Sequence, residues 1–286
     1  MQKSERSLGK STRSTVAVMV STFGSRLLGF VRIAVIGAIF GASGRADVLN
    51  LVFTIPNNLR KLTAEGALSS AFIPELSRSI VEDPSGAESR GLVRRIVAVQ
   101  FVALVPLLIF AAVFAQPVVN TILDFPEVER QLLAADAFRW FIHYTLLISL
   151  SAVLMATLNS HGRFLIPALT PLLFSVSVIA SILLLHQRLG IFSMAVGVLA
   201  GGVIQILFQY PSFRRLGYGL LPRWNFRDAR FRKVLRQWVP VVGTASIFTI
   251  NQQIAILFAS GLEDGSGSAM TNALVFWQRP FGIFGA

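Results

Sequence analysis

The sequence contains no cysteine, which excludes disulfide bonds, thiolate metal sites and thiol catalysis. Charge is scarce as well, because only 14% of the 286 residues are Asp, Glu, Lys or Arg, whereas soluble domains average about 25%. The three histidines, His143, His161 and His186, are scattered and fit structural or interfacial positions better than a metal site. With 53% hydrophobic residues and a mean hydropathy of +0.65, the composition predicts an all-α polytopic membrane protein.

The net charge of +12 is distributed in a way that argues against nucleic acid as a partner. Most basic residues lie in hydrophilic segments between apolar ones, and no basic stretch is interleaved with aromatic residues as in a nucleic-acid groove. If the N-terminus is cytoplasmic, the inner segments hold 17 Lys and Arg residues and the outer segments hold 3. This bias predicts a multi-pass protein whose N-terminus, residues 1–15, is a cytoplasmic tail and not a cleaved signal peptide.

Apolar segments follow one another along nearly the whole chain. About eight transmembrane helices are predicted, over 16–42, 47–76, 93–117, 134–159, 166–186, 190–210, 236–261 and 269–286. The basic stretch 211–236 fits either an amphipathic helix on the anionic inner leaflet or a solvated basic loop, so membrane lipids are an expected partner.

Two arginines lie in the middle of the first apolar segment. Each of Arg26 and Arg32 costs at least about 2.5–3.5 kcal/mol near the centre of a bilayer, so both are expected to face a polar interior. On a helix they lie about 120° apart, which lets both border one wide cavity. Gly37 and Gly41 form a small-residue pattern that permits close helix approach, and packing alone explains them as well.

The second apolar segment is interrupted by polar residues. Pro56-Asn57-Asn58, followed by Arg60 and Lys61, predicts a bent or broken helix whose carbonyl groups line a cavity. Several converging guanidinium groups suit an anion with many oxygens, such as a diphosphate. The alternative is a structural ion network of these cations with four acids, which are Asp47, Glu65, Glu75 and Asp136.

These segments together resemble a known family. Ser25–Arg32, Ile39–Ala42, Ala46-Asp47, Pro56–Lys61 and Ala64–Pro74 are similar to the start of the MurJ (MviN) lipid II flippases, of the multidrug/oligosaccharidyl-lipid/polysaccharide exporter superfamily, and a looser match continues to Leu221-Pro222. The resemblance implies a transporter, not an enzyme, with no cofactor and two six-helix lobes around a cavity. Its substrate would be lipid II, a polyprenyl-diphosphate-linked disaccharide peptide, moved by alternating access across the bacterial cytoplasmic (inner) membrane for peptidoglycan biosynthesis and cell shape.

The resemblance also implies roles for single residues. Arg26, Arg32, Arg60, Lys61 and Arg279 would bind the substrate phosphates, and Asp47 and Glu65 would take part in gating. Two departures bear on activity: Ile33 stands where the family usually has an acid, and Lys61 stands where it has an arginine. Coupling to a monovalent cation or to the membrane potential stays open, since Asn251, Gln252 and Gln253 fit either a cation site or helix–helix hydrogen bonds.

The expected organisation is a six-helix lobe over 16–210, a basic linker over 211–236 and the first two helices of a truncated second lobe over 237–286. A faint similarity between the stretch from Phe40 to Pro56 and that from Phe258 to Pro280 supports this repeat. Two alternatives remain: a truncated non-transporting scaffold or inactive fragment, and an exporter of another polyprenyl-linked glycan. A drug exporter would be expected to carry acids in its cavity instead of arginines.

Overall fold

The computed structural model describes residues 2–41, 43–60, 68–225 and 227–274, and none of these residues is in a β-strand. They form helices joined mostly by short turns. The helices are α1 (Gln2–Phe40), α2 (Gly44–Arg60), a π-helical turn (Leu68–Phe72), α3 (Ile73–Glu82), α4 (Ala87–Val113), α5 (Ala115–Ile122), α6 (Val128–Phe141), α7 (Tyr144–Ser160), α8 (Leu165–Leu189), α9 (Phe192–Arg215), α10 (Ala229–Ser260) and α11, described over 266–274.

Within the described ranges, six helical stretches are long and apolar enough to cross a membrane, which confirms the all-α polytopic class. They are Val18–Phe40, Ala87–Val113, Val128–Ser160, Leu165–Leu189, Phe192–Arg215 and Ala229–Ser260. The prediction of about eight differs because the second apolar segment is divided between α2 and α3. Most of the eighth predicted helix lies outside the described residues.

The division of the second segment is not at the predicted place. Helix α2 continues through Pro56, Asn57 and Asn58 and ends at Arg60. Proline has no backbone N–H to donate, and α2 nevertheless continues past it by four residues. The described chain resumes with the π-helical turn and α3, which begins with proline in its first turn.

Successive long helices run in opposite directions, so the turns lie at two ends of the bundle. One end, called here the basic end, holds the turns 83–86 and 161–164 and the linker between Arg215 and Ala229. The opposite end holds the turns 123–127, 190–191 and 261–265.

The predicted basic stretch 211–236 is shared by the end of α9, an irregular linker and the start of α10. No separate helix lies in the described part of that linker.

Buried apolar side chains form two clusters stacked along the bundle. The larger includes Val48, Phe138 and Val198, and the smaller lies toward the basic end and includes Leu76 and Phe213. Lipid tails are as apolar as these side chains, so within a membrane the helix pairs are stabilised by van der Waals packing of such groups and by hydrogen bonds between helices.

Helices α8 and α9 pack closely because α9 presents glycines to its neighbours. A Cβ atom added at Gly197 would lie 2.8 Å from the Cα atom of Val178, and one at Gly201 would lie 2.9 Å from the ring of Phe174. Both distances are shorter than ordinary contact, so only glycine allows this approach.

The glycine pattern in α1 has a different role from the one predicted. A Cβ atom added at Gly37 or Gly41 would meet no described atom within 4 Å. Gly41 has φ +67° and donates its N–H to the carbonyl of Gly37 at 2.9 Å, so it terminates α1 in a conformation that favours glycine.

The first prediction compares these two environments. Gly197→Ala should lower the thermal stability of the chain in detergent by about 1–3 kcal/mol, because the backbone of α8 must move to admit the methyl group. Gly37→Ala is the matched control and should be neutral or stabilising by up to about 1 kcal/mol, since alanine is the better helix former. Equal melting temperatures for the two variants would contradict the close α8–α9 contact.

Candidate functional site

A cavity of about 440 Å³ lies among α1, α2, α7, α8 and α9. Three of the predicted binding residues, Arg26, Arg32 and Arg60, line it together, although they come from two different helices. All three are half-buried. Further polar side chains complete the wall: Ser25, Asn57, Asn159, Ser175 and Gln205. The volume is in the range of small-molecule binding sites, about 300–1,000 Å³.

An aromatic wall positions Arg32. Its Cζ atom lies 5.2 Å from the ring centroid of Phe174, within the range of a cation–π interaction. The Phe174 ring is 5.2 Å from that of Tyr144, which is in turn 6.1 Å from that of Phe53. These rings interlock α2, α7 and α8, so the face offered to Arg32 is rigid.

Arg60 is positioned by its own helix. Its Nε atom donates a hydrogen bond of 3.1 Å to Oδ1 of Asn57, one turn earlier in α2. The amide thus orients the guanidinium on the cavity side of the helix. Pro56-Asn57-Asn58 was expected to mark a bent or broken helix; the helix is not broken there, and Asn57 accepts a hydrogen bond from Arg60.

Three of the four acids of the alternative ion network contact groups that do not line the cavity. Asp47 accepts two backbone hydrogen bonds, Glu75 pairs with Lys233 at 2.6 Å, and Asp136 pairs with the neighbouring Arg139. The fourth, Glu65, lies outside the described residues. Among the described residues that line the cavity, none is Asp or Glu, so the lining carries net positive charge.

The remaining predicted residues are placed as follows. Lys61 and Arg279 lie outside the described ranges, like Glu65. Gln253 donates from Nε2 to the carbonyl of Ile122 at 3.2 Å, which is a helix–helix hydrogen bond between α10 and α5.

Asp47 lies at the opposite end of the bundle, outside the cavity lining. Its carboxylate is only 4% exposed and accepts the backbone N–H groups of Gly265 and Ser268, both at 2.7 Å. Nearby, Asn50 donates from Nδ2 to the hydroxyl of Ser268 at 3.1 Å. The first turn of α2 therefore caps the N-terminus of α11, where a negative charge is favourable.

Gln205 is a cavity residue that was not predicted from the sequence. This side chain is 3% exposed and lines the cavity, and its Nε2 lies 3.5 Å from the carbonyl of Thr170. Its Oε1 is buried with no hydrogen-bond partner in the described part of the protein. The signal available in the sequence was an amide inside an apolar helix, which usually marks an interior-facing position.

Comparison with known proteins gives consistent matches over almost the whole chain. A family model described as lipid II flippase MurJ matches residues 36–286. A probable lipid II flippase MurJ of Borreliella burgdorferi is 37% identical over 277 residues, covering 97% of this chain and 54% of the relative. The lipid II flippase MurJ of Burkholderia cenocepacia is 30% identical over 281 residues, covering 96% and 54%. The chain thus spans about half the length of these curated relatives.

Solved structures agree with the sequence matches. A lipid II flippase MurJ in an inward closed conformation superposes with a TM-score of 0.79 at 26% identity, covering 94% of this chain and 56% of that one. A MATE transporter of Vibrio cholerae in its bent form has a TM-score of 0.60 at 15% identity, which shows the shared fold alone.

The second prediction concerns the cap provided by Asp47. Asp47→Ala should destabilise the chain by about 1–2 kcal/mol, because the N–H groups of Gly265 and Ser268 lose their acceptor. A thermal unfolding series in detergent measures this as a lower melting temperature. Asp136→Ala is the control, since its pairing with Arg139 is exposed, and it should stay within about 0.5 kcal/mol of the parent. A loss no greater for Asp47→Ala than for the control would rule out the cap.

Proposed function

Since the chain belongs to the lipid II flippase MurJ family, we propose that it takes part in moving a polyprenyl-diphosphate-linked saccharide, lipid II, across the bacterial inner membrane. The observation that carries this proposal is the convergence of Arg26, Arg32 and Arg60 on one cavity whose described lining contains no acid. The diphosphate is the part of such a substrate that carries concentrated charge, and guanidinium groups bind its oxygens through charge-assisted hydrogen bonds.

The proposed mechanism is alternating access. The diphosphate and the sugar head group enter the cavity, pair with the arginines and leave on the other side, while the polyprenyl tail stays in the lipid. Arg32 on its aromatic face and Arg60 on its amide are held before the ligand arrives, which lowers the entropy cost of binding. No covalent bond is made or broken in this scheme, so the chain acts as a carrier and not as an enzyme.

The basic end is assigned to the cytoplasm, with the N-terminus on the same side. The linker between Arg215 and Ala229 and the helix ends beside it carry a cluster of arginines, in agreement with the positive-inside rule. They are Arg90, Arg94, Arg95, Arg214, Arg215, Arg223, Arg227, Arg230 and Arg232. The substrate would then enter from the basic end and leave at the opposite end.

Asp47 is assigned to the gate at the opposite end. Three contacts there join α2, α6 and the turn 123–127 to the segment 260–268. They are the cap on α11, the pair between Arg130 and Asp264 at 2.5 Å, and the hydrogen bond from the backbone N–H of Asp124 to Oγ of Ser260 at 2.7 Å. An exit path at this end would need these contacts to separate, so they support a gate that is closed here.

The third prediction tests the cavity by ligand binding. Arg32→Ala and Arg60→Ala should each raise the dissociation constant for undecaprenyl diphosphate by about 10- to 100-fold, because each removes a hydrogen-bonding cation from the diphosphate. Binding is measured on the purified chain by microscale thermophoresis. The same substitutions should abolish export of the lipid-linked precursor in cells that depend on this gene.

Arg139→Ala is the matched control, because Arg139 pairs with Asp136 away from the cavity. It should bind the ligand as the parent does. If both cavity variants bind the ligand as the parent does and support normal growth, the cavity is not the diphosphate-binding site.

The fourth prediction tests the gate and uses the absence of native cysteine. In N50C/S268C, a short bifunctional thiol reagent should join α2 to α11 and stop precursor export, because the opposite end can no longer open. Cleaving a reducible form of the linker should restore export. The single variants N50C and S268C, treated with the same reagent, should keep their activity. Full export by the cross-linked pair would show that this end need not open.

A further inference from the structure

A second cavity, of about 360 Å³, lies at the basic end and shares no lining residue with the first. Arg90 and Arg94 contribute to it from the first turns of α4, Arg214 from the end of α9 and Arg223 from the linker. These four residues are called here the arginine pocket.

The linker that closes this pocket is fixed to α4 by reciprocal hydrogen bonds. Arg94 donates from Nε to the carbonyl of Leu221 at 2.8 Å, and the backbone N–H of Arg223 donates to the carbonyl of Arg94 at 3.1 Å. The pocket is therefore a built cavity and not an exposed loop.

A buried tyrosine anchors the same linker. Tyr218 is 2% exposed, its hydroxyl donates to Oγ of Ser89 at 3.0 Å, and its ring packs edge-on against His161 at 5.3 Å. Burial raises the pKa of Tyr218 above its ordinary value, so its hydroxyl stays protonated and keeps donating.

The pocket has no protein counter-charge among the described residues. No described carboxylate lies within 4.0 Å of the guanidinium groups of Arg90, Arg94, Arg214 or Arg223. The hydrogen bonds of their side chains go to neutral backbone carbonyls, as from Arg90 to Ser85 at 3.0 Å.

Other arginines at the same end do have acidic partners. Arg95 pairs with Asp228 at 3.1 Å, and Arg230 pairs with Glu82 at 2.6 Å and with Glu88 at 2.8 Å. Asp83, the acid in the turn before α4, accepts the backbone N–H of Glu88 at 2.8 Å. Acids are thus present at this end, and they are used by groups outside the pocket. Four like charges around one cavity repel one another unless an anion joins them.

The linker also presents apolar side chains beside the pocket. Leu221, whose carbonyl holds Arg94, is 74% exposed, and Trp224 is 60% exposed. An exposed leucine and tryptophan next to a cluster of arginines are typical of the headgroup level of a membrane, where the apolar side chains enter the lipid and the cations meet phosphate. A soluble anion would not need them.

We propose that the arginine pocket binds the phosphate headgroup of an anionic membrane lipid, at a site separate from the central cavity. The lipid phosphate joins α4, α9 and the linker that leads to α10, and so holds the start of α10 near α4 and α9. The proposal does not depend on transport by the central cavity.

The test uses native mass spectrometry of the whole purified chain in detergent. The probes are phosphatidylglycerol, phosphatidylcholine and inorganic phosphate. We expect the chain to retain phosphatidylglycerol, to retain phosphatidylcholine at least about 10-fold more weakly, and to keep its phosphatidylglycerol in millimolar inorganic phosphate. Equal retention of the two lipids overturns the proposal. Displacement by inorganic phosphate overturns the lipid assignment in favour of a free-anion site.

The variant R90Q/R223Q removes two charges from the pocket, and it should weaken retention of phosphatidylglycerol by about 10-fold or more. R223Q alone keeps the backbone bond from residue 223 to Arg94, so it serves as the test if the double variant does not fold. R232Q, on the exposed side of α10, is the control with one charge removed at the same end, and it should retain the lipid as the parent does. Parental retention by R223Q and by the double variant overturns the proposal.

Discussion

The cost of burying guanidinium groups among apolar helices is the constraint on which the arrangement depends. An arginine inside a membrane-spanning helix costs at least about 2.5–3.5 kcal/mol unless it reaches water or a polar partner. Helix α1 carries two such arginines, and α2 adds Arg60. The bundle meets the cost by leaving a cavity between these helices and by giving Arg32 an aromatic face and Arg60 an amide oxygen.

The placement of the acids follows from the same constraint. Glu75, with Glu82 and Glu88, neutralises Lys233 and Arg230 of α10 at the basic end, while Asp47 and Asp264 act at the opposite end. Polar contacts therefore hold α10 and the chain beyond it at both ends. These acids lie at the two ends of the bundle, and none of the described residues that line the cavity is acidic.

Much of the central site could be predicted from local sequence, because an arginine in an apolar membrane helix must face a polar interior. That rule brought Arg26, Arg32 and Arg60 to one cavity. It failed for features set by distant contacts: Asp47 finds its hydrogen-bond donors more than 200 residues away, and the close glycine packing is in α9 and not at Gly37. Of the bent or broken helix predicted at Pro56, the broken form was wrong: α2 continues to Arg60, since one proline lowers helix stability without ending the helix.

A count of charges along the sequence does not show which basic residues lie together in the fold, and the arginine pocket is an example. Its members were predicted as part of the positive-inside bias, and Arg214 and Arg223 also as part of the basic stretch 211–236. Neither prediction requires these cations to lie around one cavity. Folding brings Arg90 and Arg94 beside Arg214 and Arg223, from parts of the chain more than a hundred residues apart, and places no described acid among them. Scattered surface arginines would satisfy the bias with less repulsion, since separated charges are screened within about 10 Å at ordinary salt. The clustering therefore requires a further cause, and an anion shared by the four groups supplies it.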